Sequence, residues 1–476
     1  MTTYRPTPTD SLWTETSTSQ AETEEILAKH IPSADNPAQP LHRNAHLQWL
    51  VRNLIQGFPT RYTSQDASQP WLMFWTLQSL STLQAGLDAG NKQKAINTIM
   101  SWQHPEGGFG GGPGQAPHLL ATYASVCALA NVGRPGPGGG WDQIDREKMY
   151  KFFMSVKQPD GSFTVMHHGE VDVRGIYCML VVATLLDLLT PELVEGTAAF
   201  LASCQTYEGG FSSASQPYFS SSSLLPSPRP PLGEAHGGYT FCALASWVMV
   251  RSFAPPPEGV SIDVRRLLRW LVMMQGSEQE LGGFRGRTNK LVDGCYSWWV
   301  GGAFALLEML GVPGHHAQED DVSEGQEGAH DEWDDVDDAL FNRKALQEYI
   351  LYAGQHPTGG LRDKPPKVSD AYHTLSCLSG LASAQHHVTP SSTRREEITL
   401  LWETDTDSPF DEQRKSAFAD ALAWVEEEGA SKFVGGSGNR VNATHPIFNL
   451  TMTHTDAMMG HFYRQTVPPR MVRRRP

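Results

Sequence analysis

Apolar residues recur at helical spacing through most of the chain, and almost no segment alternates with the two-residue period of a strand. Residues 119–130 (LLATYASVCALA) are typical of these apolar runs. A short glycine phrase at 103–109 (QHPEGGF) precedes this run, and the phrase returns between later runs. The four other copies begin at Gln158, Gln205, Gln275 and Gln355.

Five copies of this phrase predict a repeat made of a helix, a glycine turn and a second helix. Four of the five copies have paired glycines, and the copy at Gln158 has Gly-Ser instead. Glycine allows positive φ and a close approach of helices, and the residue after these two positions is apolar in every copy. One such unit cannot bury its apolar faces alone, so the units must pack against one another. The repeats therefore predict an all-α fold, either a toroid or a solenoid.

The repeat spacing also divides the chain into regions. Residues 1–40, rich in Thr, Ser and Pro, are predicted to form a partly flexible N-terminal arm, followed by a repeat domain at 41–467. A Ser/Pro-rich insertion at 212–231 and an acidic one at 316–338 are predicted to be surface loops. Residues 468–476 form a basic tail, which is either a frayed terminus or a nuclear-import or docking signal.

Composition and charge exclude several classes of protein. A hydrophobic content of 39% with 13 Trp residues indicates a globular chain. Its net charge of −15 argues against a general nucleic-acid binder. No apolar run approaches the roughly 20 residues of a membrane helix, and the N-terminus lacks the apolar core of a secretory signal. Six scattered cysteines do not resemble a disulfide framework, so we expect a reducing, cytoplasmic location.

The densest polar cluster lies at 287–299 (RTNKLVDGCYSWW), directly after a glycine turn. Asp293 and Cys295 are separated by one glycine at the predicted start of a helix, where carboxylate and thiolate are favoured. They form a plausible half of a zinc site; the alternative is an N-capping Asp beside a buried Cys. His373 occupies the equivalent place after the last glycine turn and would complete three ligands with one open position.

Four further side chains suggest a site for a diphosphate. His236 follows the third glycine turn, while Arg287, Lys290 and Tyr296 flank the proposed zinc ligands. Together they supply the hydrogen-bond donors and positive charge that a departing diphosphate needs. Each residue alone could simply solvate a helix end, but that explanation fits the whole set poorly.

These motifs resemble the β subunits of protein prenyltransferases. The resemblance rests on the glycine repeats with LVDGCYSWW at 291–299, HGGYTFC at 236–242 and YHT at 372–374, and it runs from about residue 41 to 466. It implies an α/α toroid of two concentric helix rings and a heterodimer with an α subunit. It also implies a zinc-dependent enzyme that joins a prenyl group to the cysteine thiolate of C-terminal CaaX motifs, as in small GTPases.

The resemblance assigns roles to individual residues. The catalytic set is the zinc ligands Asp293, Cys295 and His373 together with Lys290, Tyr296, Arg287 and His236. The prenyl diphosphate would be bound by His236, Gly237, Gly238, Tyr239, Arg287, Thr288, Asn289, Lys290, Tyr296, Ser297, Trp298, Trp299, Arg174, Tyr177 and Cys242. The peptide would be bound by Trp71, Trp75, Tyr372 and Arg174.

Two features favour farnesyl over geranylgeranyl transfer. Trp71 resembles the tryptophan that closes the lipid cavity of the farnesyl enzymes, although Trp71 and Trp75 at helical spacing could simply be core residues. Asp363 matches an acidic residue associated with magnesium on the diphosphate, so the resemblance implies Mg²⁺ as a second cofactor. The alternatives are a type I geranylgeranyl β subunit, a terpene cyclase, which shares the repeats but lacks the zinc set, and a non-catalytic toroidal scaffold.

Overall fold

Helices make up most of the chain in the computed structural model, which describes residues 12–34, 37–216, 229–313, 339–405 and 408–465. The helices are α1 (Glu15–Ala28), α2 (Arg43–Gln56), α3 (Gln69–Thr82), α4 (Ala89–Met100), α5 (Leu119–Val132), α6 (Arg146–Val156), α7 (Val173–Leu185), α8 (Pro191–Val194), α9 (Thr197–Ser203), α10 (Gly237–Phe253), α11 (Val264–Met273), α12 (Tyr296–Trp299), α13 (Ala303–Glu308), α14 (Arg343–Tyr349), α15 (Ala371–Gln385), α16 (Ser392–Leu400), α17 (Asp411–Leu422) and α18 (Met452–Phe462). The strands are β1 (Ala214–Ser215), β2 (Pro231–Leu232), β3 (Val388–Pro390) and β4 (Trp424–Glu426). β1 pairs antiparallel with β2, and β3 with β4.

Six helices form a closed inner ring. α3 packs on α5, α5 on α7, α7 on α10, α10 on α12, α12 on α15, and α15 returns to α3. These segments are apolar on every side because the ring helices are buried on every side. In α5, all but one of the residues are buried. A helix in this ring contacts a neighbour on each flank and a second layer behind it. The toroid expected from the repeats is confirmed.

A second layer of helices packs outside this ring, with α2 against α3, α4 against α5, α9 against α10 and α14 against α15. The glycine turns allow the layers to approach closely. A Cβ on Gly107 would lie 2.1 Å from the carbonyl oxygen of Lys148 on α6, and one on Gly359 would lie 2.4 Å from that of Ala45 on α2. The residue after each glycine pair is fully buried, as the sequence predicts.

Replacing Gly107 by Ala tests this close approach. Both Gly107 and Gly114 have positive φ, but nothing lies within 4 Å of a Cβ at Gly114. Backbone strain of about 1–2 kcal/mol is therefore common to both variants, and only Gly107→Ala adds a backbone clash. We expect Gly107→Ala to lower the free energy of unfolding by about 2 kcal/mol more than Gly114→Ala, measured by urea denaturation. Equal losses would show that the turn tolerates a side chain.

The regions predicted outside the repeats are only partly described. Within the predicted arm, α1 begins with a capping box at Thr14, buries Leu27 completely and packs against the turn at Glu278–Glu280. The ends of the 212–231 insertion meet in the β1–β2 pair, while the whole 316–338 insertion and the whole tail at 468–476 lie outside the described residues. None of the described helices has the length and apolarity needed to cross a bilayer.

One segment near the C-terminus enters the inner ring. The hydroxyl of Tyr177 on α7 donates to the carbonyl oxygen of Ile447 at 2.9 Å, and that of Tyr123 on α5 donates to Phe448 at 3.3 Å. Ser379 on α15 donates to the side-chain oxygen of Asn449 at 2.7 Å. Residues 447–449 therefore contact three of the six ring helices, α5, α7 and α15.

Candidate active site

Asp293, Cys295 and His373 come together where α12 and α15 begin. One candidate ligand atom from each side chain lies within 4.8 Å of the other two. Nε2 of His373 is 3.1 Å from Oδ1 of Asp293. Because α12 and α15 are neighbours in the inner ring, residues 80 positions apart in sequence meet at one point.

The backbone between Asp293 and Cys295 explains why their side chains converge. Oδ1 of Asp293 accepts a hydrogen bond from the backbone N–H of Cys295 at 2.8 Å, so the carboxylate caps this turn. A Cβ on Gly294 would lie 2.6 Å from Sγ of Cys377 and 2.7 Å from the carbonyl oxygen of Arg362. Only glycine fits between the two candidate ligands.

Asp370 orients His373 and was not predicted from the sequence. It is the N-cap of α15: its Oδ1 accepts from the backbone N–H of His373 at 2.8 Å, and its Oδ2 lies 2.7 Å from Nδ1 of the same residue. Nε2 is therefore the ring nitrogen that faces Asp293 and Cys295. A carboxylate on the distal nitrogen is the usual partner of a metal-ligating histidine. The signal in the sequence was an Asp three residues before a His at a helix start.

The protonation of the three side chains follows from burial and from their mutual contacts. Burial raises the pKa of Cys295 to about 12, and the Asp293 carboxylate adds to the rise. Burial disfavours the charge on His373, but hydrogen bonds to Asp293 and Asp370 outweigh it and raise its pKa. Burial alone would raise the pKa of Asp293, but hydrogen bonds from His373 and Cys295 lower it, so this carboxylate is ionised. Cys295 and His373 therefore hold the protons that a divalent cation would displace. A carboxylate, a thiol and an imidazole with a carboxylate behind it fit the ligand preferences of zinc.

His236 and Tyr296 lie beside this cluster, since Tyr296 directly follows Cys295. Nε2 of His236 is 3.0 Å from the Tyr296 hydroxyl, and Nδ1 of His236 accepts from the backbone N–H of Gly238. Burial lowers the pKa of His236 to about 4, with Arg287 adding to the effect, so the ring is neutral at pH 7. With Nδ1 acting as an acceptor, Nε2 carries the proton and donates to Tyr296.

The loop before α12 carries the predicted cationic residues. Gly237 N–H donates to the carbonyl oxygen of Gly286 at 2.7 Å, which joins this loop to the start of α10. Arg287 pairs with Glu234 at 2.5 Å, and Thr288 donates to Glu208 at 2.7 Å. Two further predicted ligands of the diphosphate are exposed on the same loop, Asn289 and Lys290.

A belt of aromatic rings runs around the inner ring of helices. Successive ring centroids in the belt lie 5.4–5.8 Å apart, except that Trp299 is joined to Tyr372 by a 2.8 Å hydrogen bond from its indole N–H. The belt consists, in order, of Trp71, Tyr123, Tyr177, Phe241, Trp299, Tyr372 and Trp75. Tyr123 and Phe241 were not predicted, while the other five were assigned to the lipid or the peptide.

The remaining predicted lipid ligands flank the belt. The Arg174 guanidinium forms a two-point pair with Asp172, the N-cap of α7, and lies 5.4 Å from the ring centroid of Tyr239. Tyr239 in turn has its ring 4.7 Å from that of His236. Cys242 is buried on α10. Arg174 is thus linked through Tyr239 to His236, one of the diphosphate candidates.

Three further predicted residues, Ser297, Trp298 and Asp363, lie in core packing or in a local ion pair. Ser297 is fully buried, and its Cβ would be 2.2 Å from a Cβ on Gly380, so it packs against the backbone of α15. Trp298 is buried and lines a cavity with Glu308 and Phe341. Oδ1 of Asp363 is 2.7 Å from Nζ of Lys364, and burial raises the pKa of Asp363, with Asp293 adding to the rise.

Fold and site together define a class of toroidal prenyltransferases, and comparisons with known proteins agree. The family model of the prenyltransferase alpha-alpha toroid domain matches residues 41–450. The solved structure of Candida albicans protein geranylgeranyltransferase-I complexed with GGPP is 18% identical, with a TM-score of 0.58 covering 89% of this chain and 99% of that chain, which supports the fold.

Two curated relatives narrow the family. The protein farnesyltransferase subunit beta of Schizosaccharomyces pombe is 36% identical over 371 residues, which cover 78% of this chain and 85% of the relative. The protein farnesyltransferase subunit beta of Saccharomyces cerevisiae is 39% identical over 351 residues, which cover 72% of this chain and 69% of the relative. The chain therefore belongs to the protein prenyltransferase family, in the group formed by the farnesyltransferase β subunits.

Proposed function

We propose that this chain is the catalytic β subunit of a protein farnesyltransferase that modifies the cysteine of C-terminal CaaX motifs. The observation that carries the proposal is the position of the Asp293–Cys295–His373 cluster. It lies directly beside the His236–Tyr296 pair and next to Tyr372, a member of the aromatic belt. A thiol, a diphosphate and an apolar chain would thus meet within one site.

Asp293, Cys295 and His373 would hold zinc, with Asp370 fixing the tautomer of His373. Bound there, zinc supplies the positive charge that stabilises a substrate thiolate at neutral pH. The belt suits an apolar polyene, because Trp71, Trp75, Trp299 and Tyr372 are only partly buried and offer ring faces that would remove the chain from water. The peptide sulfur would form a bond to the first carbon of the farnesyl group as the bond from that carbon to diphosphate breaks.

The departing diphosphate carries the negative charge that the protein must stabilise. Tyr296 accepts from neutral His236, so its own hydroxyl hydrogen is free to point to a phosphate oxygen. Arg287 and Lys290 add positive charge, and a diphosphate would compete with Glu234 for Arg287. Such charge-assisted hydrogen bonds strengthen as charge develops on the leaving group. Asp363 would hold Mg²⁺ together with diphosphate oxygens, in place of its pairing with Lys364.

The partners and location follow from the same proposal. The relatives named above are β subunits, so we propose a heterodimer with an α subunit and CaaX-terminated proteins as substrates. The six cysteines are all free and buried, which supports a reducing, cytoplasmic location.

The direct experiment combines the purified αβ heterodimer with zinc, magnesium, farnesyl diphosphate and a CaaX peptide. We expect mass spectrometry to show one farnesyl group on the peptide cysteine, and none on a control peptide with Ser in that position. An unmodified CaaX peptide would contradict the proposal. Transfer of geranylgeranyl in preference to farnesyl, when both diphosphates compete, would instead assign the chain to type I geranylgeranyl transfer.

A further inference from the structure

We infer that Tyr62 is a positioning residue for His373, an inference that rests on the proposed function. Tyr62 lies in a 3₁₀ segment, Thr60–Ser68, that leads directly into α3. Its hydroxyl oxygen accepts a hydrogen bond from the backbone N–H of Ala371 at 3.2 Å. Ala371 is the first residue of α15, and His373 stands two residues later.

The first turn of a helix has N–H groups without intrahelical partners, so their outside acceptors decide where the turn lies. Asp370 accepts from the backbone N–H of His373, and Tyr62 accepts from that of Ala371. Arg61 adds a third contact, from its Nη2 to the carbonyl oxygen of Ser369 at 3.0 Å. The turn that carries His373 is therefore held from one side by its own cap and from the other by residues 61 and 62.

The segment that carries Tyr62 is itself held in place. The rings of Phe58 and Tyr62 lie 4.8 Å apart. A Cβ on Gly111 would lie 2.0 Å from the carbonyl oxygen of Ala67, and the carbonyl oxygen of Gly111 accepts from the N–H of Gln69 at 3.0 Å. Close backbone contact on this scale leaves the segment little freedom to shift, so it can serve as a fixed reference for α15.

The same segment also connects the metal ligand to the proposed peptide site. α3 follows the segment without a break, and Trp75 on α3 packs its ring 5.4 Å from that of Tyr372. Tyr372 lies between Ala371 and His373 in sequence. A ligand set works only when its members are held within fractions of an ångström, and Tyr62 supplies part of that restraint.

Tyr62→Phe in the αβ heterodimer removes the acceptor but keeps the ring and its packing on Phe58. We expect the zinc dissociation constant, measured by competition with a chelator, to rise about threefold to tenfold. The visible absorption bands of the Co²⁺-substituted heterodimer should also shift, because they report the geometry of the ligands. The matched control is Tyr150→Phe, which removes a hydroxyl on α6 that contacts Thr190 at 2.7 Å.

A Tyr62→Phe heterodimer with the zinc affinity and Co²⁺ spectrum of the Tyr150→Phe control would overturn the inference, even if its melting temperature fell. An Asp293→Ala heterodimer distinguishes this outcome from a failure of the proposed function. If the unaltered heterodimer bound no zinc, or if Asp293→Ala bound it equally well, the proposed metal site itself would be wrong. If Asp293→Ala lost zinc and Tyr62→Phe did not, only the role of Tyr62 would fail.

Discussion

His373→Ala is expected to strip zinc from the heterodimer and to lower the rate of prenyl transfer at least about 100-fold. Loss of a residue that merely supports a metal ligand costs about 10- to 100-fold in affinity or activity, and loss of a ligand costs at least as much. Asp370 would then face an empty place where Nδ1 stood, and Asp293 would lose its contact with Nε2. The remaining pair, Asp293 and Cys295, offers too few ligands for a zinc site.

The measurement combines zinc content of the purified heterodimer, by elemental analysis, with the turnover of a CaaX peptide. His167→Ala is the control, because His167 is exposed and its ring contacts the Ser155 hydroxyl and the edge of Phe152. It should keep both zinc and activity. Unchanged zinc in His373→Ala would contradict the ligand assignment and favour a toroid that binds partners without catalysis.

Repetition in the chain explains why the meeting of Asp293, Cys295 and His373 could be predicted without a structure. Units that share a phrase fold alike, and a closed ring places equivalent positions of neighbouring units side by side. Asp293, Cys295 and His373 each follow a glycine turn, so they meet where α12 and α15 begin. The repeat period and the residue types suffice for this prediction, and both can be read from the sequence.

The contacts that could not be predicted depend on side-chain direction or lie outside the repeat. Tyr123 and Phe241 belong to the aromatic belt, but α5 and α10 are buried on nearly every side, so apolar periodicity does not show which face lines the lumen. Asp370 adopts a side-chain conformation in which one oxygen meets the backbone N–H of His373 and the other meets its Nδ1. The sequence pattern does not specify that conformation. Tyr62 contacts Ala371 at the start of α15, which is 309 positions away in the sequence. The segment that carries Tyr62 lacks the glycine phrase.

Trp71→Thr is expected to lower the preference for farnesyl over geranylgeranyl diphosphate by about 10- to 100-fold. The Trp71 ring closes one arc of the belt, 5.5 Å from Trp75 and 5.4 Å from Tyr123. A geranylgeranyl chain is longer by one isoprene unit, and forcing it against a packed indole costs about 1–3 kcal/mol, which corresponds to this range of discrimination. Replacing the indole by a threonine side chain frees the volume that the extra unit needs.

The two substrates should be compared as the ratio of kcat/KM values for the two diphosphates with one peptide, because that ratio cancels differences in the amount of active enzyme. Trp71→Phe is the matched control, since it retains an aromatic ring between Trp75 and Tyr123 and should keep most of the farnesyl preference. A Trp71→Thr enzyme as selective as Trp71→Phe would mean that Trp71 is a core residue without contact to the lipid. The length limit would then have to come from elsewhere along the belt, and Tyr123, whose hydroxyl binds the segment 447–449 inside the ring, would be the next residue to replace.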